Sequence, residues 1–431
     1  MRLLFVVQRY GETVFGGAEQ CCRYYASRMA RRGHDVEVLT SCAVSYVDWA
    51  DSFPPGTSEL DGVTLQRLAV RRPRDDRRFS PLNQRVVYGR KPVPLYLQRA
   101  WMEEQGPYLP ELTGWLEERA GSFEVVVFFT YLYYPAWAGL PVASRLAPTL
   151  LHPTAHDEPP LYLSLFDTMF RQPHAFGFLT DEEGALVRRR FRSTQPSSVL
   201  GIGVELDPTG DADAFRLRFG LGERPYLLFV GRVDPHKGSE ELYGFFTAYK
   251  RRNPGPLALV VLGEPVRPLP EHPDVVMTGY VDEATKQSAL AGALALVQPS
   301  YFESFSMVLS EAWAWGKPAL VQGACDVLAG QVRRSGGGVP YRGFAEFEAA
   351  VDVVTEDPRL AAALGGAGRR YVEQRYQWDV VLSRYERQLD HLVSRGVRRS
   401  VQPATALPLA AQPDSPIAWR PPIDCAPAST S

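Results

Sequence analysis

The 431-residue chain holds only five cysteines, at positions 21, 22, 42, 325 and 425. No C-x-x-C pair occurs among them and their spacing is irregular. This excludes a disulfide framework or a thiolate zinc site and suits a reducing compartment. Charge of one sign is not in excess: 47 Lys and Arg face 49 Asp and Glu, for a net charge of -2 and a pI near 6.4. That balance supplies no field for steering onto nucleic acid, which is not expected as a partner.

A basic leader with an apolar core and a small-residue cleavage site is missing ahead of the strand-like LLFVV, so a cytoplasmic protein is expected. Long apolar runs are scarce. The uncharged stretch from Val125 to Ala143 just reaches bilayer length, but Pro135, Gly139 and Pro141 interrupt it, and a buried strand, a loop and a helix are predicted there. Neither G-x-x-x-x-G-K-[ST] nor a G-x-G-x-x-G after a strand occurs, which removes support for P-loop and nicotinamide chemistry. The histidines are scattered and no D-x-D stands where a diphosphate metal would be expected, so no metal ligands are assigned. There is no internal repeat.

Against these absences, 45% hydrophobic and 22% charged residues describe a folded protein, and the length exceeds what one core usually serves. The chain opens as β-α-β. A strand at 3–7 leads through a glycine-containing loop to a helix from about Ala18, on which Ala18, Cys22, Tyr25, Ala26, Met29 and Ala30 share a face. Gly33 stops that helix before a strand at 36–40. Uncharged strand-like runs recur at 125–129, 147–152 and 176–179. A second series follows at 226–230, 257–263, 274–280, 294–299 and 318–322.

Runs of this kind suit parallel strands covered on both faces, so the expected fold is α/β with two Rossmann-like, doubly wound sheets facing a central cleft. The domains are expected at 1–195 and 196–377, with a helix at 378–396 packing back on the first. A Pro/Ala/Ser-rich tail, 397–431, is read as disordered. Residues 43–100 lack clear periodicity and are read as long loops with short elements lining the cleft. The basic RLAVRRPRDDRR at 67–78 reads as a solvated face, with an anionic membrane surface as the sharper alternative.

Open parallel sheets bind ligands outside the carboxyl ends of their strands. After the 226–230 strand comes GRVDPHKGSEE, whose Arg232 and Lys237 can converge on a diphosphate. After the 294–299 strand comes SYFESFS and then the helix-like MVLSEAWAW. The N–H groups from Phe305 through Ser306 and Met307 to Val308 would form an anion-binding helix start, with Ser306 as its cap. Glu303 falls in that turn and Glu311 one to two turns into the helix, where acceptor-only carboxylates suit the hydroxyls of a sugar and of a ribose.

These stretches, with WGKPAL, FGGAEQ, RRGHDVEVLT and HPTAHDEPP in order, resemble the retaining glycosyltransferases of the GT-B fold that carry an E-x7-E signature, over roughly residues 1–395. The resemblance implies that Arg232 and Lys237 bind a donor diphosphate, Glu311 the nucleoside ribose and Glu303 the donor sugar. Gly16 and Gly17 would close on the phosphates, and His156 would sit near the reacting carbon. Ser304 and Ser306 depart from the glycines common around the aromatic of that turn, which puts the donor sugar in question.

The expected function is retaining transfer of a sugar from a nucleotide-diphosphate sugar to a hydroxyl on a glycan, a lipid-linked sugar or a small molecule, in cell-surface glycan, polysaccharide or glycolipid synthesis. No cofactor is expected, and UDP- or GDP-linked donors are expected ahead of ADP-linked ones. A nucleotide-sugar epimerase of the same architecture and a non-catalytic binding protein are the alternatives, and peripheral contact with the inner face of a membrane is carried alongside. The sequence assigns no oligomeric state.

Overall fold

The computed structural model describes residues 1–234, 237–266 and 269–395. The expected disordered tail lies outside the described residues, as do Pro235 and His236 of the cationic loop. Two sheets lie within one compact unit. The first holds β1 (Arg2–Val6), β2 (Asp35–Ser41), β3 (Gly56–Leu60), β4 (Val63–Leu68), β5 (Val125–Phe129), β6 (Thr149–His152), β7 (Ala175–Phe178) and β8 (Ser197–Val199), in the order β3-β4-β2-β1-β5-β6-β7-β8. The second holds β9 (Tyr226–Val230), β10 (Ala258–Leu262), β11 (Val275–Gly279), β12 (Ala295–Gln298), β13 (Ala319–Gln322) and β14 (Gly338–Tyr341), in the order β11-β10-β9-β12-β13-β14.

All pairings are parallel except β3 with β4. The physical reason is written in the central strands: every residue of β5 and of β10 is buried, as helices on both faces require. The uncharged 125–143 stretch divides as expected, into β5 and the helix Tyr134–Ala143. No helix among the described residues is long and apolar enough to cross a membrane.

Strand order locates the crevice. β1 pairs with β2 on one side and β5 on the other, and β9 with β10 and β12, so chain connections leave in opposite directions at β1/β5 and at β9/β12. At such a switch point no crossover covers the carboxyl ends, and a ligand can enter.

Residues 43–100 are more ordered than expected: β3 and β4 form a hairpin, and two eleven-residue helices, Asp76–Val86 and Leu95–Gln105, follow. Arginines of β4 and of the loop before the first of these helices tie the region to the rest of the fold. Arg67 donates to the Tyr10 carbonyl at 3.1 Å, Arg74 to the Tyr46 carbonyl at 2.9 Å, and Arg72 pairs with Glu103 at 3.1 Å. The 67–78 stretch is therefore not one solvated basic face; three of its arginines turn inward.

The helix Trp378–Arg395 packs against the first sheet. Val381, Leu382, Tyr385, Leu389 and Leu392 are buried at helical spacing. The Tyr385 ring stacks on Tyr25 at 4.4 Å and on His152 at 5.6 Å, while Arg32 reaches Glu386 at 2.7 Å and Asp379 at 2.8 Å. Tyr385→Ala should therefore cost about 3 to 5 kcal/mol in chemical denaturation. A loss below about 1 kcal/mol would mean that this helix contributes little to the fold.

Candidate functional site

The loops after β9 and β12 meet at the switch point. Lys237 Nζ donates to Glu303 Oε1 at 2.7 Å, joining the two loops by a half-buried ion pair. Asp234 organises the β9 side: one carboxylate oxygen accepts the Lys237 backbone N–H at 3.0 Å and the other accepts Arg232 Nε. The Arg232 guanidinium also donates to the Tyr46 hydroxyl, which belongs to a loop after β2. Tyr46 in turn lies under Arg9, 5.2 Å from guanidinium carbon to ring centroid.

Arg9 is itself buried against Glu19, its Nε donating at 2.9 Å, and it donates to the Phe15 and Val44 carbonyls at 3.2 and 2.6 Å. A buried pair with its remaining donors satisfied fixes the loop between β1 and the helix Gly17–Arg31. It also explains Gly16: a Cβ there would sit 2.2 Å from Glu19 Oε2. Gly16 is the N-cap of that helix and Gly17 its first residue. Phe15, half exposed, meets Tyr280 across the cleft at a ring separation of 5.1 Å. The two glycines thus reach the cations through Arg9 and Tyr46.

Sequence reading missed what holds Glu311. Lys286, on the helix Glu283–Gly292, donates to it at 2.8 Å and to Glu283 at 3.0 Å. Burial disfavours the Lys286 charge, but the two carboxylates outweigh it and raise its pKa well above the usual lysine range. Each glutamate of the E-x7-E pair therefore has a lysine partner. The only sequence signal for Lys286 was its place in a helix opened by an Asp282 cap, which describes many surface lysines.

The helix Met307–Ala314 begins as predicted, but its start differs in one respect. Ser306 stands at the N-cap without a side-chain capping bond and at φ 69°. Instead its hydroxyl accepts from Gln298 Nε2 at 3.0 Å. A serine in this left-handed region is strained where glycine would not be. Without a side-chain cap, the first-turn N–H groups of Met307 and Val308 have no acceptor from Ser306, which leaves them disposed toward an anion. Phe305 is buried, its ring edge-on to Tyr376 at 5.0 Å and its carbonyl accepting from Gln331. The aromatic thus anchors the turn through its ring.

His156 follows β6 and is about one-third exposed, with Nδ1 3.6 Å from Glu158 Oε1. Burial lowers its pKa, yet Glu158 and Glu303 together raise it on balance, with Lys237 opposing them. His156 therefore lies in the electrostatic reach of the Lys237–Glu303 pair. Thr154 just before it adopts φ 48°, a strained backbone.

What holds this loop is Glu183, also missed, whose buried carboxylate accepts the N–H groups of Ala155 at 2.8 Å and Leu179 at 2.6 Å. Its neighbour Thr180 caps the helix Asp181–Phe191 and donates to the Ser304 carbonyl at 3.1 Å, tying the His156 side to the glutamate turn. The T-x-x-E spacing was a visible signal for the cap. Among the described residues, no three His, Cys, Asp or Glu side chains gather as metal ligands.

Comparison with known proteins bears on what such a site belongs to. Residues 224–357 match the family described as glycosyl transferases group 1, and residues 16–203 match the glycosyl transferase 4-like domain. The chain belongs to the group 1 glycosyl transferases. This glycosyltransferase is 26% identical to a glycogen synthase of Mycobacterium tuberculosis, over 95% of the chain and 98% of the relative. It is 28% identical to a GDP-mannose-dependent phosphatidylinositol monomannoside mannosyltransferase of Mycolicibacterium smegmatis, over 65% and 73%. The fold is GT-B, shared with sucrose-phosphate synthase of Thermosynechococcus elongatus (TM-score 0.69, 18% identity, 91% and 99% covered). It is shared also with WaaG, a glycosyltransferase of lipopolysaccharide biosynthesis (TM-score 0.59, 17% identity, 90% and 99% covered).

Glu183 gives the glycosyltransferase a titration that can be measured. Burial lifts its pKa from the ordinary 4.5 to about 7, against the opposing pull of its N–H partners and of His156. Because the folded form holds this proton longer than the unfolded one, the contribution to stability is whole below pH about 4.5 and falls as pH rises to about 7. The stability difference between the native chain and Glu183→Gln, followed by denaturant midpoints, should shrink across that window and stay flat outside it. A difference that does not vary with pH would place the Glu183 titration near its ordinary value.

Proposed function

We propose that the enzyme transfers a sugar from a nucleoside-diphosphate sugar to a hydroxyl acceptor with retention of anomeric configuration and without a metal. The observation that carries this reading is the Lys237–Glu303 pair at the β9/β12 switch point, with His156 beside it. A cation and a hydroxyl-binding carboxylate held 2.7 Å apart suit the junction of a phosphate and a sugar.

In this reading Arg232, Lys237 and the first-turn N–H groups of the Met307–Ala314 helix hold the diphosphate, and Glu303 binds sugar hydroxyls. Charge builds on the departing diphosphate as the glycosidic bond loosens, and donors aimed there lower the barrier more than they tighten ground-state binding. Glu311, held by Lys286, takes the ribose hydroxyls. The acceptor oxygen attacks from the face the phosphate leaves, and its proton passes to a departing phosphate oxygen. His156, within electrostatic reach of Glu303, contacts the donor sugar near the reacting carbon.

Solved relatives of the same fold support the donor class. Anabaena HepE is described in complex with UDP-glucose, and a trehalose-6-phosphate protein of E. coli as bound with UDP-2-fluoro glucose. Relatives by sequence are named for glycogen and for GDP-mannose, which supports polysaccharide or glycolipid synthesis and a UDP- or GDP-linked donor.

Release of UDP from UDP-glucose and of GDP from GDP-mannose, each in EDTA, tests the assignment, with the product anomer read by proton NMR. One donor should turn over with retention, and Lys237→Ala should weaken its binding about 10- to 100-fold through loss of a charge-assisted contact. Turnover abolished by EDTA and restored by manganese, or an inverted product, would contradict it.

A further inference from the structure

Beyond Glu303 the cleft holds a cavity of about 340 Å³ that the reading above leaves empty. Segments that follow strands of both sheets wall it: Asp157 and Arg189 come from after β6 and β7, and Tyr301, Phe302, Asp326 and Arg333 from after β12 and β13. Glu303 and Ala155, the neighbour of His156, also line it. A molecule seated here touches the residues assigned to the donor sugar, and the volume lies at the small end of ligand sites.

The lining states what that molecule can carry. Five carboxylates, of Asp157, Glu182, Glu183, Glu303 and Asp326, face two guanidinium groups, of Arg189 and Arg333. Glu182 is held by Arg334, at 2.9 Å between Oε2 and Nη2, and Glu303 by Lys237. Asp157 accepts one bond, from the Tyr162 hydroxyl at 2.5 Å. Among the described residues no hydrogen bond or ion pair occupies Asp326, Arg189 or Arg333, and all three are exposed.

With Glu182 and Glu303 matched by their cations and Glu183 spent on backbone N–H groups, two carboxylates and two guanidinium groups remain, so the lining is near neutral and offers a phosphate or carboxylate no net opposite charge. Hydroxyls, which donate and accept, match uncommitted carboxylates and guanidinium groups together. Tyr301, fixed by its hydroxyl on both oxygens of Glu241 at 3.0 and 3.1 Å, adds with Phe302 the aromatic surface on which the apolar face of a sugar ring packs.

We propose that this cavity is the acceptor subsite and that it takes a neutral sugar ring, without phosphate or carboxylate, with Asp157, Asp326, Arg189 and Arg333 reading its hydroxyls. This rests on the glycosyl-transfer reading above. In the reaction the acceptor oxygen forms the new bond to the anomeric carbon, the carbon–oxygen bond to the diphosphate breaks with its electron pair on the phosphate oxygen, and the acceptor's proton ends on that leaving group.

The test uses the full chain with UDP-glucose or GDP-mannose and follows nucleotide release alone and with maltotriose, methyl α-mannoside, glucose 6-phosphate or glucuronate. A neutral sugar should accelerate release, and the two anionic ones should fall at least about tenfold short in kcat/KM. Asp326→Ala and, separately, Arg333→Ala should each raise the KM for the neutral acceptor about tenfold and move the donor KM less than about twofold.

Preference for an anionic acceptor overturns the inference. So does a shift confined to the donor KM, or donor hydrolysis that no neutral sugar accelerates. If neither donor is bound or consumed, the donor reading fails first and the acceptor subsite with it.

Discussion

Everything at this site depends on the divergence of the chain at β9. The sequence continues to β10 on one side of that strand while β12 pairs on the other, so two loops end side by side with no crossover above them. Lys237 and Glu303, 66 positions apart, meet in that gap. The first sheet repeats the arrangement at β1 and β5, and its loops bring Arg9, Tyr46 and His156 to face the pair.

The cations at this site are not left unmatched. Lys237 rests on Glu303, Arg232 on Asp234 and Tyr46, and Lys286 on Glu311. Half-buried charge of one sign would repel itself and lose hydration without return. Pairing each cation with a carboxylate keeps the site near neutral and fixes its geometry. The strained backbones of Thr154 and Ser306 lie at the two turns closest to this meeting point. Glu183 and Thr180 link those same turns, holding one from below and bonding to the other.

The parallel sheets were legible because buried strands are uncharged and short. The turn between β12 and its helix was legible because an apolar run, a proline and an E-x7-E spacing fall together. Local signals of that kind survive in a single sequence. The partners of Glu311 and of Arg232 did not, since Lys286, Asp234 and Tyr46 acquire meaning only from contacts made across the fold. Residues 43–100 were misread for a related reason: Arg67, Arg72 and Arg74 look like solvent-facing charge, yet they are consumed by carbonyls and carboxylates of distant segments. The Ser306 cap failed because residue type cannot report a φ of 69°.

The central claim is a division of labour, with Lys237 at the diphosphate and Glu311 at the nucleoside. Calorimetric titration of UDP and GDP, each beside its free nucleoside, against the native chain, Lys237→Met and Glu311→Ala separates the two ends. The account requires Lys237→Met to weaken the preferred diphosphate while leaving its nucleoside unchanged, and Glu311→Ala to weaken both. Equal weakening of nucleoside and diphosphate by Lys237→Met, or no effect of Glu311→Ala on either, would contradict it.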